Sequence, residues 1–255
     1  MLLAIDIGNT NIVIGVIREN EIVFKVRIAT DWTRTSDQYG VEIKNILELF
    51  GVAAEDIEDC IISSVVPPVF NSVRTGIVKV IHKQPLVVGP GIKTGLNIQM
   101  DTPSQVGSDR IVIAVAALAE YAPPLTLLDL GTATTIEVVG KGSTYLGGCI
   151  IPGVRISLDA LTSRTAQLPG INLDTPKKVI GKNTVDCMRS GIMHGTAAMV
   201  DGMLDRVEEE LGYPTTVVAT GGMAQFIVPL CRREIKLERD LLLKGLNILY
   251  KKNKK

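Results

Sequence analysis

The chain has 255 residues, 46% of them hydrophobic and only 4% aromatic, with 27 basic side chains balanced by 27 acidic ones. That length admits one large domain or two of ordinary size, and the aliphatic content excludes disorder and points to an Ile, Val, Leu and Ala core of α/β type. The zero net charge leaves no field that would draw the chain to nucleic acid or to an anionic membrane, and the basic tail from Tyr250 to Lys255 reads as a frayed, solvated terminus.

Apolar alternation and turn residues mark out the elements in chain order. "LLAID", "IVIGVI" and "EIVFKVRI" (Glu21 to Ile28) read as a β-meander, with "GNTN" as its first turn. A helix is expected from Gln38 to Leu49, ending before Gly51. A buried strand follows from Asp59 to Val66, stopped by Pro67 and Pro68, then a helix from Val69 to His82 and a short strand from Pro85 to Val88. Ser108 to Tyr121 is strongly aliphatic and helix-like, and Leu125 to Gly140 again reads as strand, polar turn, strand. The late piece "VVATGGMAQ", Val217 to Gln225, is a strand running into a glycine-rich turn.

Two negative readings narrow the class. Cys60, Cys149, Cys187 and Cys231 are far apart with no CxxC pair, so reduced thiols are expected in place of a zinc or redox site. No basic leader opens the chain, and the longest charge-free apolar run near its middle, Ile111 to Ala119, is far short of the ~20 residues a membrane span needs. A soluble, cytoplasmic protein is the expectation. His82 and His194 each sit singly, as surface or satisfied histidines do.

The opening segment poses a physical question, because it ends an apolar strand with a carboxylate, Asp6. Laying Leu125 to Gly140 under it, at an offset of 129 minus 6 positions, puts Asp129 on Asp6 and Gly131 on Gly8. Two copies of one unit about half a chain apart point to an internal duplication and to two lobes, 1–121 and 122–255. A buried carboxylate needs hydrogen bonds or a cation to offset its desolvation. Gly8 and Gly131 leave no side chain between backbone and ligand, while Asn9, Thr10 and Asn11, and Thr132, Thr134 and Thr135 in the second turn, add amide and hydroxyl donors. Short turns of this kind also make ordinary hairpins, but a facing pair suits a polyphosphate, with each Asp positioning a metal or its water shell.

"GSDR", Gly107 to Arg110, opens the helix near Ser108. Two readings stand open for it: Ser108 as N-cap, with Asp109 favouring the dipole and Arg110 solvated, or an acidic base and a cation at an anion-attracting helix start. Thr184, in "GKNTVDCMRSG", likewise suits an N-cap hydroxyl or a ligand contact.

The paired turns and "TGG" resemble the acetate kinase, sugar kinase, Hsp70 and actin superfamily, and the ordered set "DIGNTNIVIG", "VGSDR", "LLDLGTATT", "GGCIIPG" and "TGG" resembles the type III pantothenate kinases. The resemblance implies two ribonuclease-H-like lobes with mixed sheets flanked by helices, and transfer of a phosphoryl group from ATP to pantothenate with Mg²⁺ and a monovalent cation, K⁺ or NH₄⁺. It implies an ATP loop at Asp6, Ile7, Gly8, Asn9, Thr10, Asn11, Ile12 and Val13, with Thr132 as a further nucleotide contact. Asp109 becomes the catalytic base; Gly107, Ser108, Asp109, Arg110 and Thr184 become pantothenate contacts; Asp129 becomes the cation ligand. A homodimer is implied as well. Two positions depart from the family: Ser108 where Ala is common, a change small enough to be tolerated, and Met100 where a Tyr usually lines the pantothenate pocket. A non-catalytic regulatory relative and a kinase for another small alcohol are the alternatives.

Overall fold

A run of aliphatic residues without polar alternation suits a strand covered on both faces, and all six residues of β1 (Leu2–Ile7) are buried. In the computed structural model, which describes residues 1–254, β1 pairs antiparallel with β2 (Asn11–Arg18), and β2 with β3 (Glu21–Ala29). Helix α1 (Ser36–Leu49) starts at a capping box between Thr35 and Gln38, and the chain leaves it through Gly51 at a φ of +67°. β4 (Asp59–Ser64) runs parallel to β1. The following helix, α2 (Pro67–Ile81), begins on the two prolines themselves, earlier than Val69, because a first helical turn needs no N–H from proline. β5 (Leu86–Val87) adds a last parallel strand, giving the order β3-β2-β1-β4-β5.

The short β6 (Asn97–Ile98) joins a different sheet, and α3 (Ser108–Glu120) follows it. That second sheet is built from β7 (Leu125–Leu130), β8 (Ala133–Gly140) and β9 (Thr144–Pro152), then, after α4 (Val154–Ser163) and α5 (Thr184–Leu211), from β10 (Thr216–Thr220). The short α6 (Ala224–Ile227), β11 (Lys236–Leu237) and α7 (Leu241–Asn253) complete the chain. Its order is β11-β10-β7-β8-β9-β6. Read from β9 towards β11, it repeats the first sheet: two antiparallel pairings, then two parallel ones. The duplication seen in two short turns extends to a whole ribonuclease-H-like topology, with β6 as an extra edge.

Each sheet has its own core. In the first, Leu3, Ile5 and Ile7 pack with Tyr39, Ile43 and Leu47 of α1 and Val73 and Ile77 of α2. In the second, Leu128, Leu130 and Ile136 pack with Met193, Ala197 and Val200 of α5. The division expected at 121/122 assigned the last helix to the second half. The compact units are instead Met1–Leu96 with Asp101–Glu120 and the chain from Asp240 onward, and Asn97–Met100 with Tyr121–Arg239. The cause is the apolar face of α7: Leu243 lies against Gly15 of β2, and Gly245 lets the backbone of α7 touch Val112 of α3.

For the same reason the described part of the basic tail, 250–254, is not frayed, while Lys255 lies outside the described residues. Lys251 and Lys252 belong to α7, where Lys251 Nζ donates to Glu19 O at 2.8 Å, and Asn253 exchanges hydrogen bonds of 2.8 and 3.0 Å with the Lys93 backbone. Among the described residues no helix is long and apolar enough to cross a membrane.

Candidate active site

In the first unit, pairing of Ile7 with Ile12 leaves Gly8, Asn9 and Thr10 to connect β1 and β2. The Gly8 N–H closes the turn on Asn11 O at 3.0 Å. Thr30, just beyond β3, braces it from outside: its hydroxyl donates to Gly8 O at 2.6 Å and its N–H to Thr10 O at 3.0 Å. Asn9, Thr10 and Asn11 are exposed, while Ile7, Ile12 and Val13 are buried, so one half of the expected ATP loop faces outward and the other anchors it. Asp6 is only 6% exposed. Strand alternation turns it away from the α1–α2 side taken by Ile5 and Ile7.

β4 brings the second motif to the same strand end. Ser63 stands opposite Asp6 and Ser64 opposite Ile7. Ser63, fully buried, donates to Ser108 Oγ at 2.9 Å; Ser108 Oγ also accepts from the Ser64 N–H at 3.2 Å and donates to Ser64 O at 3.0 Å. Ser108 is therefore not an N-cap: it is the first residue of α3, and its hydroxyl stitches the helix to β4. The helical ladder starts with Ile111 N–H donating to Gly107 O at 3.3 Å. Asp109 Oδ1 accepts from the Arg110 N–H at 2.8 Å and overhangs Gly107, where a Cβ would stand 2.5 Å away. Gly107 to Arg110 are all half-buried.

In the second unit the matching turn is tighter. Leu130 pairs with Thr134, leaving Gly131 and Thr132, and the Gly131 N–H donates to Ala133 O at 3.1 Å. The duplication thus keeps the acids and glycines aligned but slips by one afterwards: Asp6 pairs with Val13, Asp129 with Thr135. β10 sets Thr220 opposite Asp129, and the Met223 N–H donates to Leu130 O at 3.0 Å. Gly221, at a φ of +98°, lies directly on the Leu130 backbone and the Asp129 carboxylate. Gly153, which ends "GGCIIPG", touches the Gly131 and Thr132 carbonyls. Three separate sequence motifs therefore gather around Asp129. Asp129 itself is half-buried, not buried as expected, because it lies one residue from the end of its strand, near the exposed Thr132.

Two expected acceptor residues also lie in this unit. Thr184 is exposed in the first turn of α5, but the N-cap is Asn183, whose side chain accepts from the Asp186 N–H at 2.9 Å. Met100 packs its sulfur against Gly147 at the β9 edge. His82, the left-handed cap of α2, and His194, within α5, belong to neither turn. Sequence reasoning missed Ser63, Ser64 and Thr30. The serines carried the same signal as Asp6, a polar end to a buried aliphatic strand; Thr30 carried none.

Among the described residues no group of three or more His, Cys, Asp or Glu side chains gathers as a metal site. Each turn offers one carboxylate with backbone oxygens and hydroxyls nearby. That sparse, hard donor set fits Mg²⁺ held mostly by phosphate and water, or a loosely held monovalent cation, and does not fit a caged transition metal.

The fold has solved counterparts. The (R)-2-hydroxyglutaryl-CoA dehydratase component A of Acidaminococcus fermentans matches at a TM-score of 0.58 and 18% identity, covering 98% of this chain and 96% of that one. A candidate Baf family transcriptional activator from Campylobacter jejuni matches at 0.62 and 18%, covering 98% of both. These likenesses establish the actin, Hsp70 and sugar kinase fold type. In sequence, type III pantothenate kinases of Exiguobacterium sp. strain AT1b and Exiguobacterium sibiricum are 45% and 46% identical over the full length of both chains. The family model for type III pantothenate kinase matches residues 2–206. With the paired Asp turns, the GSDR helix start and the glycines packed on Asp129 all in place, this chain belongs to the type III pantothenate kinase family.

Proposed function

We propose that the protein moves the γ-phosphate of ATP to the primary hydroxyl of pantothenate, the first step towards coenzyme A. The observation that carries this reading is the Ser108 stitch, which sets the acceptor motif and the first phosphate turn at one end of one sheet. In this reading Asn9 to Asn11 receive phosphate oxygens through backbone N–H and side-chain donors, Gly8 leaves the approach free of a side chain, and Thr132 adds a contact from the second turn. Asp6 would help to hold Mg²⁺, and Asp129 would hold the monovalent cation. When bound, these ions neutralise charge that develops on the transferred phosphoryl group.

Asp109 accepts the proton of the attacking hydroxyl, while Gly107, Ser108, Arg110 and Thr184 hold pantothenate. Phosphoryl transfer asks mainly for alignment and charge stabilisation, and a general base adds about 10² to 10⁴ in rate. Asp109→Asn is therefore expected to lose turnover on that scale while binding ATP as before, as read by single-turnover kinetics and nucleotide titration; wild-type turnover refutes the role. A cytoplasmic homodimer is proposed on family grounds, and sedimentation tests the dimer.

The deciding assay is ATP plus pantothenate in potassium buffer against a panel of other small alcohols. Turnover confined to pantothenate supports the proposal. Turnover confined to another alcohol reassigns the acceptor, and none at all leaves the regulatory alternative. Full activity in sodium alone removes the cation role from Asp129.

A further inference from the structure

The serine at 108 was expected to be a tolerated stand-in for alanine, yet no alanine could make the contacts it makes. Its hydroxyl meets Ser63 Oγ, the Ser64 N–H and the Ser64 carbonyl within 2.9 to 3.2 Å. Ser63 is fully buried and stands in register with Asp6. Ser64 stands in register with Ile7, whose carbonyl accepts from the Val65 N–H at 3.1 Å. The strand that ends in the first phosphate turn and the helix that carries Asp109 in its first turn are thus both fastened to one serine pair.

We propose that Ser63 and Ser108 are positioning residues for phosphoryl transfer: the hydrogen bond they share holds the first turn of α3, and with it the Asp109 carboxylate, against the Asp6 end of β1. This rests on the reading of Asp109 as the base. The body of α3, Ile111 to Ala117, is buried and needs no such help. The first turn does, because its N–H groups lack intrahelical partners and helix ends are where motion concentrates. Asp109 Oδ1 is bound to the N–H of Arg110 and rests over Gly107, so its direction follows the backbone of that turn. A reacting group displaced by about 1 Å can lose up to 10²-fold in rate.

Ser108→Ala and Ser63→Ala should each lower kcat roughly tenfold, within that range, while ATP affinity stays within about twofold. The double variant should be no slower than the slower single one, because both hydroxyls serve one device. Ser108→Thr, which keeps the hydroxyl, should recover most of the rate. Ser63→Ala leaves Ser108 both of its Ser64 partners, so it remains testable should Ser108→Ala fail to fold. A folded single variant with a lowered melting point but wild-type kcat overturns the proposal, as do losses that multiply in the double variant. Asp109→Asn, run alongside, separates the two readings. If it loses turnover while the serine variants keep theirs, the positioning role fails alone; if it turns over normally, the base assignment falls first.

Discussion

A glycine whose Cα touches neighbouring backbone reports a site more sharply than a glycine with open space around it, because any side chain there forces the neighbours apart. Gly221 and Gly153 are of the first kind and Gly170 of the second. Gly221→Ala should cost roughly 2 to 4 kcal/mol in a urea melt, combining left-handed strain with a clash against Leu130, and Gly170→Ala should stay within about 0.5 kcal/mol. Equal effects would show that the Asp129 turn yields easily. The cysteines give a second residue-scale test. Burial pushes the Cys60 thiol well up, and burial with Asp201 nearby pushes Cys231 up to about 12, while Cys187 is exposed. Iodoacetamide on the native protein at pH 8 should mark Cys187 first and leave Cys60 untouched, as mass mapping would read.

Between elements, polar and apolar fastenings can be told apart by how they respond to pH and to truncation. Arg233 ties the segment after α6 back to α5, bonding Asp205 at 2.5 Å and Glu208 at 2.6 Å. Burial alone would raise the Glu208 carboxyl, but the Thr215 N–H and the Arg233 guanidinium outweigh it and hold the group below its ordinary value. A depressed carboxylate contributes stability that is full above its unfolded pKa, near 4.5, and is lost as pH falls through the lower folded value. Glu208→Gln should therefore narrow the stability gap to wild type as pH drops below about 4.5, followed by thermal melts. Helix α7 is fastened differently, by buried Leu241, Leu243, Leu246 and Leu249. Ending the chain at Arg239 uncovers the partners of that face, and the first unit should no longer fold cooperatively, seen as loss of a single sharp melting transition.

For the molecule as a whole, a ligand that binds only the folded state stabilises it by mass action. ATP with Mg²⁺ at 100 times its Kd should add about 2.7 kcal/mol to the unfolding free energy, raising the melting point. Pantothenate without nucleotide offers a separate reading of the acceptor side in the same melt. No shift with ATP in potassium buffer would count against a nucleotide site in this chain.

What the residues alone determined were features written over short distances: the alternation of β1 to β3, the aliphatic helix from Ser108, the two Asp-x-Gly turns and their spacing half a chain apart. Local periodicity and turn chemistry decide those, whatever packs around them. Where each element finds its apolar partner is settled by contacts between residues far apart in the chain, and no local pattern reports them. Only the tertiary structure could move α7 to the first unit, bring "TGG" and Gly153 onto Asp129, and show that the hydroxyl of Ser108 is spent on a strand forty-odd residues upstream.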